Sequence, residues 1–409
     1  MNDRTMENIK KEKKHSLPKG WEIKMLSEIA EVGAGNSAPQ KKELFINGRH
    51  PFIRTSDVGQ IRKGFINSSV DNLNDEGIKK LKIKKKGTIL FPKSGASTFL
   101  NHRVMMEIDG YVSSHLATIK AKDSVALDRY LLYFLITIDA KDLMQDIAYP
   151  SLKISDISAI EIPVPPLPEQ QRIVSILDEA FAAIAKAKAN AEQNLKNAKE
   201  LFESYLQGVF EKKGDGWEET TLGEIAFVKS GGTPLRHKTE YWSGNIAWYS
   251  SGELNNLYTT NPERHINELA IENSNAKLFP KGSLLIGMYD TAALKMSILD
   301  RDGTFNQAIA GVKPNPKIDL IFILHAINAI KPEILNLRRG VRQKNLSLEK
   351  IKNIPISLPP LKEQQTIVRQ LDTLRIETQK LESIYQKKIL LLEELKKSIL
   401  QKAFSGELN

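Results

Sequence analysis

The chain has 409 residues, of which 41% are hydrophobic and 26% charged, with no cysteine and a net charge of +10. That length leaves room for two or three domains, each with its own core. The composition excludes disulfides and thiolate zinc sites, no apolar run is long enough for a membrane span, and the basic balance favours a polyanionic partner.

Residues 1–16 lack an apolar core and read as a flexible basic tail, not as a secretory signal. A first globular part follows, over 17–164. In it LFINGRHPFIRTSDV, GTILFPK and YVSSHLATI read as strand and turn, and DRYLLYFLITIDAKDLMQDI (128–147) reads as a helix. Glu22-Ile23-Lys24 could form half of a nuclease site, but its later counterpart Glu218-Glu219-Thr220 lacks the lysine. Trp21 and Trp217 are instead expected to pack at the first strand of each part. VGAGNSAP (32–39) is a loose match to a dinucleotide loop; Pro39 would break the helix such a loop needs, so a turn is expected. KKLKIKKK (79–86) holds six lysines and reads either as a backbone-grazing segment or as a solvated helix end.

At 165–174 the chain reads PPLPEQQRIV, and after it a row of positions steps by four and three: Leu177, Phe181, Ile184, Lys188, Ala191, Leu195, Ala198, Phe202, Tyr205 and Val209. Such spacing predicts a long helix over 165–212 with a coiled-coil seam. Pro-Pro fixes an extended approach to it, and Glu169 falls in the first turn, where it complements the helix dipole. A second globular part covers 213–358, with IDLIFILHAINAIKPEILNLR (318–338) as its helix. At 359 the decamer returns as PPLKEQQTIV, identical at eight of ten positions, and a second seam follows over 359–409 through Leu371, Leu374, Leu381, Tyr385, Leu392 and Leu395.

The repeat extends beyond the decamer. GWEIKMLSEIA (20–30) lies over GWEETTLGEIA (216–226), and KGTILF (86–91) over KGSLLI (281–286). The loops diverge: GNSAPQKKELFINGR (35–49) has little in common with GGTPLRHKTEYWSG (231–244), nor PKSGASTFLNHRV (92–104) with GMYDTAALKMSIL (287–299). One frame with two sets of loops is what two related binding domains with different targets would show. The expected fold class is α/β: two pseudo-repeated mixed α/β domains, joined and spaced by two long antiparallel coiled-coil helices.

The paired GWE and EIA starts, the KG strand, YWSGNIAW (241–248) and above all PPL.EQQ.IV before a long helix resemble the DNA-specificity subunit of type I restriction–modification enzymes. The resemblance covers nearly all of 17–409. It implies that each globular part is a target-recognition domain reading one half of a split sequence in double-stranded DNA. It also implies that the helices set the spacer and dock two methyltransferase (modification) subunits, which restriction (translocase-nuclease) subunits join. S-adenosylmethionine, ATP and Mg are expected on those partners and no cofactor on this chain, in a cytoplasmic complex with no membrane. Two alternatives stay open: the recognition part of a type II-like fused nuclease–methyltransferase system, and a protein scaffold that binds no DNA.

No P-loop, no Asn-Pro-Pro-aromatic tetrapeptide and no paired-histidine spacing occurs, so neither a catalytic residue nor a metal is expected. Candidate DNA contacts lie in the divergent loops, as Lys, Arg, hydroxyl and amide side chains that can meet phosphates or base edges. In the first domain they are Arg54, Ser56, Lys93, Ser94, Asn101, His102, Arg103 and His115. In the second they are Arg236, His237, Lys238, Tyr249, Tyr289, Lys295, Asn306 and Gln307, with Arg338, Arg339, Arg342, Gln343 and Lys344 in one cationic loop. Strand alternation places Trp248 in the core and Tyr249 at the surface. The seam residues expected to pack are Leu177, Phe181, Ile184, Leu195, Phe202 and Tyr205 with the six named on the second helix.

Overall fold

The computed structural model describes residues 17–144, 150–336 and 345–408. The chain divides into two compact units: one takes it up to Ala191 and again from Lys387, the other is Glu192–Gln386. Each long helix begins in one unit and ends in the other.

In the first unit a five-stranded sheet has the order Ala30–Ala34, Leu116–Ala121, Ile89–Pro92, Arg103–Met106, Lys63–Ile66. All its pairings are antiparallel except the last, which is parallel. A three-stranded sheet orders Asp71–Leu73, His50–Ile53 and Tyr111–Val112, and Glu22–Met25 pairs with Glu161–Val164. The second unit repeats this frame. Its larger sheet is Val228–Ser230, Ile309–Val312, Leu284–Gly287, Met296–Ile298; its smaller one is Arg264–Ile266, Ile246–Tyr249, Gly303–Phe305; and Glu218–Thr221 pairs with Pro355–Leu358. Trp21 and Trp217 lie half-buried against their own cores, as expected.

The repeated Lys-Gly turn has a backbone cause. Gly87 and Gly282 sit at φ +89° and +84°, left-handed values that side chains rarely adopt. The buried strands Ile89–Pro92 and Leu284–Gly287 follow directly.

Both long helices, Leu167–Glu211 and Leu361–Ser405, have 45 residues, so each is about 67 Å long at the usual rise. The repeated decamer does more than start them. Gln170 is fully buried; its amide accepts from the Leu127 N–H at 3.0 Å and donates to the carbonyls of Val125 and Pro165, both at 2.9 Å. Gln364 accepts from the Asp319 N–H and donates to the Pro359 carbonyl, both at 2.8 Å. A buried amide with its partners satisfied fixes the helix start to the domain behind it. The identical glutamine in both decamers was the signal for this role.

The helices run antiparallel within each unit. In the first, Arg172 donates to the Leu408 carbonyl at 2.7 Å and Lys188 pairs with Glu393 at 2.5 Å, so rising numbers on one helix meet falling numbers on the other. In the second, Tyr205 meets Gln370 at 3.4 Å and Trp217 donates to Glu363 at 2.9 Å. Each core therefore holds the start of its own helix and the end of the other. Ile173, Val174 and Leu177 share the first core with Leu400, Ala403 and Phe404, whose ring lies 5.3 Å from Tyr130 and 5.1 Å from Phe134. Leu206 shares the second with Ile367, Val368 and Leu371.

The seam is less buried than its spacing suggests. Leu177, Ile184 and Leu371 are buried; Phe181, Leu195, Phe202, Leu374, Tyr385 and Leu392 are half-buried; Tyr205, Leu381 and Leu395 are 41%, 37% and 47% exposed. The globular cores cover only helix ends, and a two-helix pair covers one side of each helix elsewhere. The helix expected over 128–147 stops at Leu135, with a 3-10 turn at Ala140–Leu143. VGAGNSAP begins within the strand Ala30–Ala34 in place of a turn, and the next element is only the short 3-10 helix Lys42–Phe45. KKLKIKKK starts at a solvated helix end, with Lys79 capping the helix Asp75–Ile78, and has left helical structure by Lys84, which bridges to Gly110.

Candidate nucleic-acid interface

The divergent loops meet because strand ends converge. In the first unit His50–Ile53, Ile89–Pro92 and Tyr111–Val112 lead into Arg54, Lys93 and Ser113 respectively. The Ser113 N–H donates to the Ile53 carbonyl at 2.9 Å, and the Lys93 N–H to the His115 carbonyl at 3.0 Å. Lys93, Ser94 and His115 are thereby brought together, with Ser94 Oγ 3.1 Å from His115 Nδ1. Ser56 is exposed in the first turn of Thr55–Ile61. Arg54 is half-buried: it pairs with Asp71 and lies over the rings of Phe45 and Phe52, at 5.6 and 5.2 Å. That clamp orders the start of the loop and leaves the guanidinium only partly free to meet a ligand.

The second unit builds the corresponding edge from Ile246–Tyr249, Leu284–Gly287 and Gly303–Phe305. The Asn306 N–H donates to the Tyr249 carbonyl and the Met288 N–H to that of Ala308, both at 2.9 Å. Tyr289, Asn306 and Gln307 therefore neighbour one another. The Gly231–Gly232 turn packs on them: the Gly232 N–H donates to the Phe305 carbonyl at 2.9 Å, and the Thr233 hydroxyl to Gln307 Oε1 at 2.5 Å. Gly231 has no room for a side chain, since a Cβ would stand 2.0 Å from the Phe305 carbonyl. Arg236 and His237 are exposed just beyond this turn. Lys238 lies over the Tyr241 ring at 5.1 Å, and Lys295 donates to Asn255 at 3.0 Å.

Three candidates are placed otherwise than their type suggests. Tyr249 is 1% exposed, and its hydroxyl donates to the Thr260 carbonyl at 3.0 Å. It lies in the central strand of its sheet, and both faces of that strand are covered, so Trp248 and Tyr249 fall in two different core clusters. Burial raises its phenol pKa. Arg103 is fully buried on an inner strand, its guanidinium over the Phe91 ring, with Nε and Nη2 unpartnered. Burial pushes it down to about 9. Asn101 spends its amide inside the fold, donating to Asp139 at 2.9 Å and accepting from the Ala140 N–H at 2.8 Å. His102 beside it is held below the usual histidine range by burial and then by Arg62, Arg103 and Lys63. Arg338, Arg339, Arg342, Gln343 and Lys344 lie outside the described residues.

The edges offer amide, hydroxyl, imidazole and cationic groups on strand ends held by buried sheets, chemistry suited to phosphates and base edges. Among the described residues no group of three or more His, Asp or Glu could hold a metal, and no helix is long and apolar enough to cross a membrane.

Residues 18–196 and 214–390 match the family described as Type I restriction modification DNA specificity domain. The specificity subunit of the type I restriction enzyme MjaIX from Methanocaldococcus jannaschii is 24% identical over 424 residues, covering 96% of this chain and 94% of the relative. That of EcoR124I/EcoR124II from Escherichia coli is 30% identical over 267 residues, 61% of this chain and 64% of the relative. Among solved structures, the HsdS subunit from Thermoanaerobacter tengcongensis matches with a TM-score of 0.68 and 21% identity, over 97% of this chain and 100% of that one. A chain solved in work on complex assembly and conformational transition of the type I R-M system matches with a TM-score of 0.75 and 20% identity, over 96% and 100%. At those identities the structural likeness is one of fold.

Proposed function

The chain belongs to the type I restriction–modification DNA specificity family, and from that premise we propose that it is the specificity subunit of such an enzyme, reading a DNA sequence in two parts. One observation supports this most: the same three-sheet frame occurs twice, and each copy ends its strands in a different set of polar side chains. Lys93, Ser94 and His115 form one set; Tyr289, Asn306 and Gln307, flanked by Thr233 and Arg236, form the other. A shared frame gives both readers the same approach to the duplex, and unlike edges give them different bases.

In this reading the long helices set the number of base pairs between half-sites and provide the surface on which two methyltransferase subunits dock. Restriction subunits complete a cytoplasmic assembly. S-adenosylmethionine, ATP and Mg are used by those partners. This chain orients and selects DNA without an active site of its own. Sequencing methylated positions in the host genome, with and without this gene, tests the reading. A two-part methylated motif is expected to vanish on deletion; an unchanged set of motifs would defeat it.

A further inference from the structure

In the first unit the sheet-edge strand Lys63–Ile66 and the last turns of the second long helix enclose a cleft of about 280 Å³, where Lys63, Lys396 and Lys397 meet. Glu393, the acid in the cleft, is already engaged by Lys188. Lys396 lies over the Phe181 ring at 4.6 Å. Among the described residues none of the three lysines forms an ion pair. Their crowding shows at Lys63, whose pKa is lowered by burial first and then by Lys396 and Arg103, with Lys397 adding and Glu393 opposing. Like charges held together at a partly dry site leave the free protein strained electrostatically, and an anion seated among them relieves it.

The second unit repeats the charge with other residues. A cavity of about 350 Å³ there is lined by Phe202, Asn255, Lys295, His325, Lys331 and Arg375 among others. Aligning the decamers sets Phe181 against Arg375 and Phe202 against Lys396. Aromatic and cation have changed places between helix start and helix end, so that in each unit the first long helix carries the aromatic and the second the cation, Arg375 being paired with Asp372 at 2.6 Å. His325 is 3% exposed, with both ring nitrogens unpartnered. Both cavities adjoin candidate reading residues: Lys63 acts on His102, and Lys295 is itself a candidate.

We propose that these cavities seat backbone phosphates of the duplex, so that helix residues grip DNA alongside the recognition loops. This rests on the DNA-reading function above. Lysine ammonium groups are point charges with no fork to match a base edge, so the grip is independent of sequence. It ties the helix pair directly to the double helix whose half-sites it spaces.

The test uses the full chain in the assembly isolated from its host, and measures duplex affinity against salt concentration. Replacing Lys63, Lys396 and Lys397 together by Gln is expected to make the log–log salt slope shallower by about 2 to 3, near 0.9 per phosphate contact. The loss should be equal on cognate and unrelated duplexes, and Lys→Arg at the same positions should restore the slope. Lys397→Gln alone changes an exposed side chain; its expected loss of about 0.9 in slope is read even if the triple variant folds poorly. A wild-type slope in Lys397→Gln and in a folded triple variant would overturn the phosphate seat alone. A wild-type assembly with no duplex binding would overturn the recognition function with it.

Discussion

At the scale of single residues, what a side chain does here follows from its place in a sheet more than from its type. Arg103 carries a charge and stands beside a candidate loop, yet an inner strand buries it over Phe91. Tyr249 alternates with Trp248, but alternation marks an exposed face only when one face of the sheet is open, and here both are covered. His325 makes this placement measurable. It is buried and held near 4, by burial first and then by Arg375, against about 6.5 in an unfolded chain. The folded pKa is depressed, so the unfolded state takes up the proton first as pH falls. The stability is intact above about 6.5 and drains away toward 4. Urea unfolding of the second unit should show about 2 kcal/mol less stability at pH 5 than at pH 7 from this residue. His325→Leu should remove that share while leaving the acid losses of the carboxylates. An identical pH dependence in both proteins would contradict the buried neutral imidazole.

At the scale of elements, the frame was legible and the contacts were not. The Lys-Gly turns, the long helices and the doubled frame follow from sequence rules: left-handed glycine, unbroken heptads, a repeat at a constant offset. The order of strands within each sheet does not, because it pairs distant segments such as Ala30–Ala34 and Leu116–Ala121. The seam was legible only as a row of positions. Which of them is buried depends on where a core meets the helix, and that is a long-range fact absent from any heptad. Leu371 lies in the second core and Leu395 is 47% exposed, although both belong to the same row of one helix. Leu371→Ala is therefore expected to cost about 2–5 kcal/mol, and Leu395→Ala within about 0.5 kcal/mol, in denaturant unfolding followed by circular dichroism. Equal losses would mean that the seam is buried along its whole length. Gln170 and Gln364 teach the same lesson in reverse. The decamer announced itself by repetition, but its buried amides bond to Leu127 and Asp319, more than 40 positions upstream, where no local pattern reaches.

At the scale of the whole molecule, the chain is modular: one frame used twice, with different strand ends, and two long helices that each begin in one unit and end in the other. Each core keeps its own sheets, and Phe404 and Leu206 show that it also borrows the far end of the other unit's helix. The candidate loops are contained within single units, so the identity of a half-site should be separable, whereas the spacing should belong to the helices. The direct measurement is a methylome of cells in which residues 17–164 have been exchanged for the first domain of a relative with a different recognition sequence. One half of the methylated motif is expected to change while the other half and the number of base pairs between them stay as they were. A motif altered in both halves, or in its spacing, would contradict that modularity.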